Sequence, residues 1–242
     1  MSRSVWNGLA AAALMLDCVS EAQAMLYSGS QGYEFTSGSG SYEDQRLWAA
    51  SSLRLEGGWY PFARISYSRD TTYQWIASPT VGLEKGLEGV GRLRAGYTYY
   101  RGSMRVGGFL RTTHALELGW LRAFTDAASG DLSYHMMTGD LFSSADVLDN
   151  ADSRPLAQSV YHEAALNVSY TLHRGSTAPR LTSGLAVQGS AHAQSVLRET
   201  AGVSIPVGGG FSFDTSASLN QGDGAAPFLA TGGITYGFSG RR

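Results

Sequence analysis

The chain has 242 residues, 43% of them hydrophobic and only 16% charged, with 31 glycines and a formal net charge of −2. Soluble domains carry about 25% charge and about 7% glycine, so this composition excludes a coiled coil, a charged disordered tail and a lysine-rich nucleic-acid binder. The length suits one domain with its own interior.

The N-terminus reads as a secretory signal. Arg3 gives a basic start, residues 5–16 form a short apolar run, and Ala22-Gln23-Ala24 has the small-x-small form of a cleavage site. The run is too short to cross a bilayer as a helix, which takes about 20 residues. Residues 1–24 are expected to be removed, leaving 25–242. Cys18, the single cysteine, lies in the removed part, so the mature chain has no disulfide. The rival reading, a lipoprotein acylated on Cys18, is disfavoured by Asp17, because a small residue belongs before the acylated cysteine.

Beyond residue 25 apolar and polar residues alternate with a period of two, the mark of strands with one apolar and one polar face. Leu47, Ala49, Leu53 and Leu55 oppose Arg46, Ala50, Ser52 and Arg54. Leu93, Ala95, Tyr97 and Tyr99 oppose Arg92, Arg94, Gly96 and Thr98. In chain order the segments are 26–36, 45–55, 59–69, 73–85, 90–101, 104–113, 116–125, 156–173, 180–193, 196–206, 210–220 and 226–238, about twelve strands in all. Ten remain possible, since no turn residue stands near His114 to divide the sixth from the seventh. Most segments have the about 9–11 residues that a membrane-crossing strand needs, against about 5–6 in a soluble sheet.

The connections fit the same class. With both chain ends on the periplasmic side, the glycine turns at 56–58, 86–89 and 207–209 fall on inner connections, and the long segment at about 126–155 falls outside. Outer-membrane barrels show this pattern of short inner turns and longer outer loops.

Near the C-terminus, Thr231-Gly232-Gly233-Ile234-Thr235-Tyr236-Gly237-Phe238 reads polar-x-Gly-x-x-aromatic-x-aromatic. This resembles the terminal-strand signal by which bacterial outer-membrane barrels are recognised by the barrel assembly machinery, with Thr231, Gly233, Tyr236 and Phe238 at the specified positions. The resemblance covers eight residues and a broad class, with no particular family matched. It implies an antiparallel transmembrane β-barrel in the bacterial outer membrane, with lipid and the assembly machinery as partners. Such a wall explains the composition. Strands in lipid must close on themselves, and Trp59, Trp75, Tyr99, Tyr100, Trp120, Tyr236 and Phe238, near segment ends, suit interfacial girdles.

The polar faces carry the candidate site. Arg54, Arg64, Arg92, Arg94 and Arg111 lie on neighbouring strands, and Glu163, Asn167 and Asp214 lie across the lumen from them. A cationic arc facing sparse acids biases a small pore toward anions. Twelve-stranded porins for acidic sugars are similar in architecture alone. The plainer alternative is that these arginines pair with Glu56, Glu117, Glu163 or Asp214 and plug a narrow barrel. Asp126, Asp131, Asp140, Asp146, Asp149 and Asp152, with no base among them, make the expected outer loop acidic, suited to solvent, to an inward fold or to a divalent cation. The stretch 132–137 within it reads as a short extra strand or helix, and His135 as an exposed residue of the acidic loop.

No two of the five histidines stand at metal-ligand spacing, and no nucleophile elbow or phosphate loop occurs. No metal, cofactor or enzymatic activity is expected, although His162 beside Glu163, and His192 near Ser195, are the pairs a rim-mounted hydrolase would use. The expected function is a passive channel for small polar, anionic solutes. The alternatives are a closed structural or interaction barrel working through its outer loop, and a lipid-modifying enzyme.

Overall fold

A computed structural model describes residues 26–139, 159–173, 178–190, 193–222 and 227–241. Their backbone forms twelve strands: β1 (Leu26–Gly38), β2 (Tyr42–Arg54), β3 (Trp59–Asp70), β4 (Tyr73–Leu87), β5 (Gly91–Met104) and β6 (Leu110–Ala123). The remainder are β7 (Ala128–Gly139), β8 (Ser159–Thr171), β9 (Arg180–Ser190), β10 (Ala193–Gly208), β11 (Phe211–Gln221) and β12 (Phe228–Arg241). Each pairs antiparallel with its neighbours in chain order, and β12 closes on β1. Leu26 pairs with Arg241, so both ends of the described barrel lie on one rim, called here the inner rim.

Strand length matches a bilayer. Thirteen residues at about 3.3 Å each, tilted by about 40°, span about 33 Å, against a hydrocarbon core of about 30 Å. Burial is inverted relative to a soluble protein. Leu47, Leu118, Leu166, Phe213 and Ile234 are all about half exposed on the outer face. The buried side chains include the polar Thr80, Thr98, Thr113 and Glu117 on the inner face. An apolar exterior this continuous belongs in lipid. The barrel is an outer-membrane one, and closure gives every strand edge a partner.

The expected strand count holds, but two segments were placed wrongly. The segments 104–113 and 116–125 are a single strand, β6, preceded by a turn in which Gly107 and Gly108 have φ of +76° and +64°. The missing strand, β7, lies inside the stretch expected to be loop: Ala128–Gly139 pairs with β6 and β8 throughout. The outer-loop expectation for 126–155 is therefore corrected over 126–139: Asp126 and Ala127 lie in the short turn between β6 and β7 at the inner rim, and 128–139 is strand. Residues 140–158 and the signal-peptide segment 1–24 lie outside the described residues. Tyr100, expected in the girdle, turns inward and packs on the cluster of Tyr73, Ile76 and Met104.

Glycine has a packing role at two close approaches. A Cβ at Gly82 would collide with the inward Phe62 ring, which takes the space a side chain would fill. At the seam between β1 and β12, a Cβ at Gly29 would collide with the Phe238 ring.

Candidate functional site: the barrel lumen

Strand register fixes which side chains share the lumen, because directly opposed residues of paired strands point to one face. Arg64 pairs with Thr80, Glu84 with Arg94, Gly96 with Glu117, Glu117 with His135, and His135 with Glu163, all facing inward. All seven residues expected to line the pore lie on this face. The lumen brings some of them together. Arg94 Nε donates to Glu84 Oε1 at 2.9 Å, and its Nη1 donates to Glu117 Oε1 at 3.2 Å. Arg94 also lies 3.9 Å from Asp131. Arg92 reaches Glu84 at 3.6 Å and Arg64 reaches Glu117 at 3.7 Å. His135 continues the chain, with Nε2 3.9 Å from Glu117 and Nδ1 3.3 Å from Glu163. The result is a ladder of alternating charge from β4 to β8.

The other expected residues stand apart from it. Arg54 is at the inner end of β2, and Arg111 is at the outer end of β6. Asp214, on the far wall, accepts from Thr235 Oγ1 at 2.7 Å and from Ser212 Oγ at 3.4 Å. A second cluster near the outer rim joins Arg46 to Glu34 at 3.9 Å and to Asp44 at 3.8 Å. Of the partners expected for the arginines, Glu117 is correct. Glu84, Asp131 and His135 join them without a signal in the sequence, the last two because β7 lies in the stretch that reads as an acidic loop. His135 is thus a lumen residue between two carboxylates rather than an exposed loop residue.

The charges are not equally available to water. The side chains of Arg46, Arg64 and Arg92 are 49%, 45% and 46% exposed. Those of Glu117, Asp44 and Glu84 are 6%, 12% and 13% exposed. Short acidic side chains lie against the wall, and the longer arginines bend over them. Aromatic rings hold two arginines in place: Arg92 lies 4.4 Å from the Tyr60 ring centroid and Arg94 5.8 Å from that of Phe62. Ionic pairing of this kind confines the acids while leaving guanidinium groups at the water boundary.

Three cavities follow one another down the lumen. The outer one, of about 800 Å³, has Arg46, Tyr100, Arg198, Asp214, Ser216 and Thr231 in its wall. The middle one, of about 460 Å³, shares Arg46 and Tyr100 with it. The inner one, of about 290 Å³, shares Arg64 with the middle one and also touches Arg94 and Glu117. Arginines therefore stand at both junctions.

The pair considered for hydrolysis is split by the pleat. Glu163 faces the lumen, whereas His162 faces outward and bonds Tyr134. His192 lies outside the described residues.

No protein-family profile matches the chain, and no curated protein matches it. Solved structures share its fold. A KdgM porin superposes with a TM-score of 0.59 at 12% identity, over 87% of this chain and 99% of the porin. A NanC porin gives 0.59 at 14% identity, over 86% and 98%. An outer-membrane channel from Pseudomonas putida F1 gives 0.53 at 12% identity, over 90% and 96%.

Proposed function

We propose that this barrel is an outer-membrane channel for the passive passage of small, polar, anionic solutes. One observation carries the reading: Arg46, Arg64 and Arg92 reach the lumen water while Asp44, Glu117 and Glu84 beside them lie against the wall. A solute in the lumen therefore meets guanidinium first, and low-dielectric surroundings strengthen that potential. The hydroxyls of Ser216, Ser218, Thr182 and Thr231 on the opposite side offer hydrogen bonds to a hydroxylated solute. A KdgM porin of similar fold was solved in complex with disordered oligogalacturonate, which agrees with an anionic solute.

The test is planar-bilayer conductance of the refolded barrel, residues 25–242, with the reversal potential read in a KCl gradient. Steady conductance with anion preference is expected, and Arg46→Ala with Arg64→Ala and Arg92→Ala should move the reversal potential toward zero. Silence from correctly folded protein, or cation preference, would overturn the reading. Silence would favour the closed barrel acting through its long outer loop, residues 140–158, which lie outside the described residues.

A further inference from the structure

Glu199 faces lipid. It alternates with the inward Arg198 and Thr200 near the middle of β10, pairs with the outward residues Leu185 and Leu219, and is exposed. Among the described residues it has no ion-pair or hydrogen-bond partner. An ionisable side chain at mid-depth in the hydrocarbon calls for one, and nothing in the lipid tails supplies it.

The wall beside Glu199 is hollowed. One row of cross-strand partners over five strands carries only small outward side chains: Ser183, Ala201, Ala217, Ala230 and Ser37. The groove has a volume of about 580 Å³, with Leu166, Leu185, Leu219 and Phe228 among its walls and Glu199 on its edge.

A matching donor lies two strands away. His162 on β8 also faces outward, with Nδ1 2.6 Å from the Tyr134 hydroxyl. With that hydroxyl donating to Nδ1, the other ring nitrogen, Nε2, carries a proton outward.

The two groups lie at similar depth. Rows of cross-strand partners climb around the wall: the row through Ser28, near the inner end of β1, reaches Gln188, near the outer end of β9. Each strand therefore raises a row by about 3 Å at a tilt of about 40°. His162 shares its row with Gly189, one residue outward of the Gln188–Val196 pair, so the row meets β10 about four residues outward of Glu199. A climb of about 6 Å and a descent of about 10 Å leave the side chains within about 4 Å in depth.

We propose that Glu199 and the Tyr134–His162 pair are the two halves of an interface between copies of this chain, closing a ring of three barrels. The contact is head-to-tail, because the halves are different surfaces. Two strands of a twelve-strand wall subtend about 60°, and in a ring of three equal cylinders each touches its neighbours along directions about 60° apart. The imidazole of one barrel meets the carboxylate of the next, and the Tyr134 ring enters the groove beside the small residues. Oppositely charged or hydrogen-bonding groups thus replace lipid around Glu199.

Paired cysteines test this without reference to conductance. In full-length protein carrying Cys18→Ser, His162→Cys with Glu199→Cys should give, on oxidation in the membrane, bands of two and three barrels and none larger. Each single cysteine variant should stay uncross-linked. Three results would each overturn the proposal: no cross-link from a folded double variant, a ladder continuing beyond three, or equal capture by His114→Cys with Glu199→Cys. His114 is the control because it sits in a similar outward pair, 2.6 Å from the Tyr97 hydroxyl, but on β6. If the cysteine variants fail to fold, native mass spectrometry decides. The unmodified barrel should run as three copies and Glu199→Gln should lose that species, whereas an unmodified barrel that is monomeric on extraction overturns the inference.

Discussion

Arg92 and Arg94 are two residues apart on the same face of β5, yet their substitution by alanine should have different effects. Arg94 is the hub of the ladder, with two charge-assisted hydrogen bonds to acids that are 13% and 6% exposed. Each such bond contributes about 1.5–3 kcal/mol, and breaking a buried pair costs about 3–5 kcal/mol through the charge left behind. Glu84 keeps Arg92 at 3.6 Å, and Glu117 keeps Arg64 at 3.7 Å, which offsets part of that loss. Arg94→Ala should therefore destabilise the barrel by about 2–4 kcal/mol. Arg92 is nearly half exposed and holds its partner at longer range, so Arg92→Ala should cost less than about 1 kcal/mol. Its loss should register in reversal potential instead. Reversible urea unfolding in lipid vesicles, followed by tryptophan fluorescence, measures the first quantity. Replacing Arg94 together with its two hydrogen-bonded acids, as Arg94→Met with Glu84→Gln and Glu117→Gln, neutralises the carboxylates that Arg94→Ala strands and should be less damaging than Arg94→Ala alone. The reasoning is refuted if Arg94→Ala unfolds at the wild-type urea concentration, or if Arg92→Ala is the more destabilising of the two.

Three further outcomes are expected. Leu118→Arg, on the lipid face near mid-strand, should cost about 2–4 kcal/mol in the same unfolding assay, whereas Ser216→Arg in the lumen should cost less than about 1 kcal/mol and raise anion preference. Gly82→Val should destabilise by about 1–3 kcal/mol, because its side chain would collide with the Phe62 ring and the Ala95 carbonyl, and Phe62→Ala in the same chain should restore part of the loss. Tyr236→Ala with Phe238→Ala should lower the fraction of heat-modifiable, folded barrel in cells if these aromatics act as an assembly signal; an unchanged fraction would reject that role.

The parts of this fold legible in the sequence are those governed by a period of two. Leu47, Leu93, Leu166 and Phe213 mark lipid-facing sides, and the structure exposes each of them. The strand count came out at twelve through two errors that offset each other. The Gly107-Gly108 turn was passed over, although it is a pair like Gly57-Gly58 and Gly208-Gly209, which were read as turns. Of β7 the alternation marks only 132–137, as a short strand or helix, because Asp131 and His135 on its inner face resemble solvated loop chemistry. In a barrel a charged residue every second position is a lumen signal as much as a loop signal. The arginine face was visible for the same periodic reason. Its pairing was not, since Glu84 and Glu117 become neighbours of Arg94 only through register, which a slip of one residue would reverse.

Eleven of the twelve pairings join strands consecutive in the chain, and only β1 with β12 spans nearly its whole described length. Eleven can form locally, hairpin by hairpin, while one waits for the last strand. Phe238 lying on Gly29 fastens this final joint. A chain that lost β12 would keep almost all of its residues and yet present two bare edges to hydrocarbon, where nothing can satisfy them. Completeness is thereby checked by geometry. A product truncated late in synthesis has no nearly native state to occupy, and remains a recognisable substrate for proteolysis rather than a leaky barrel.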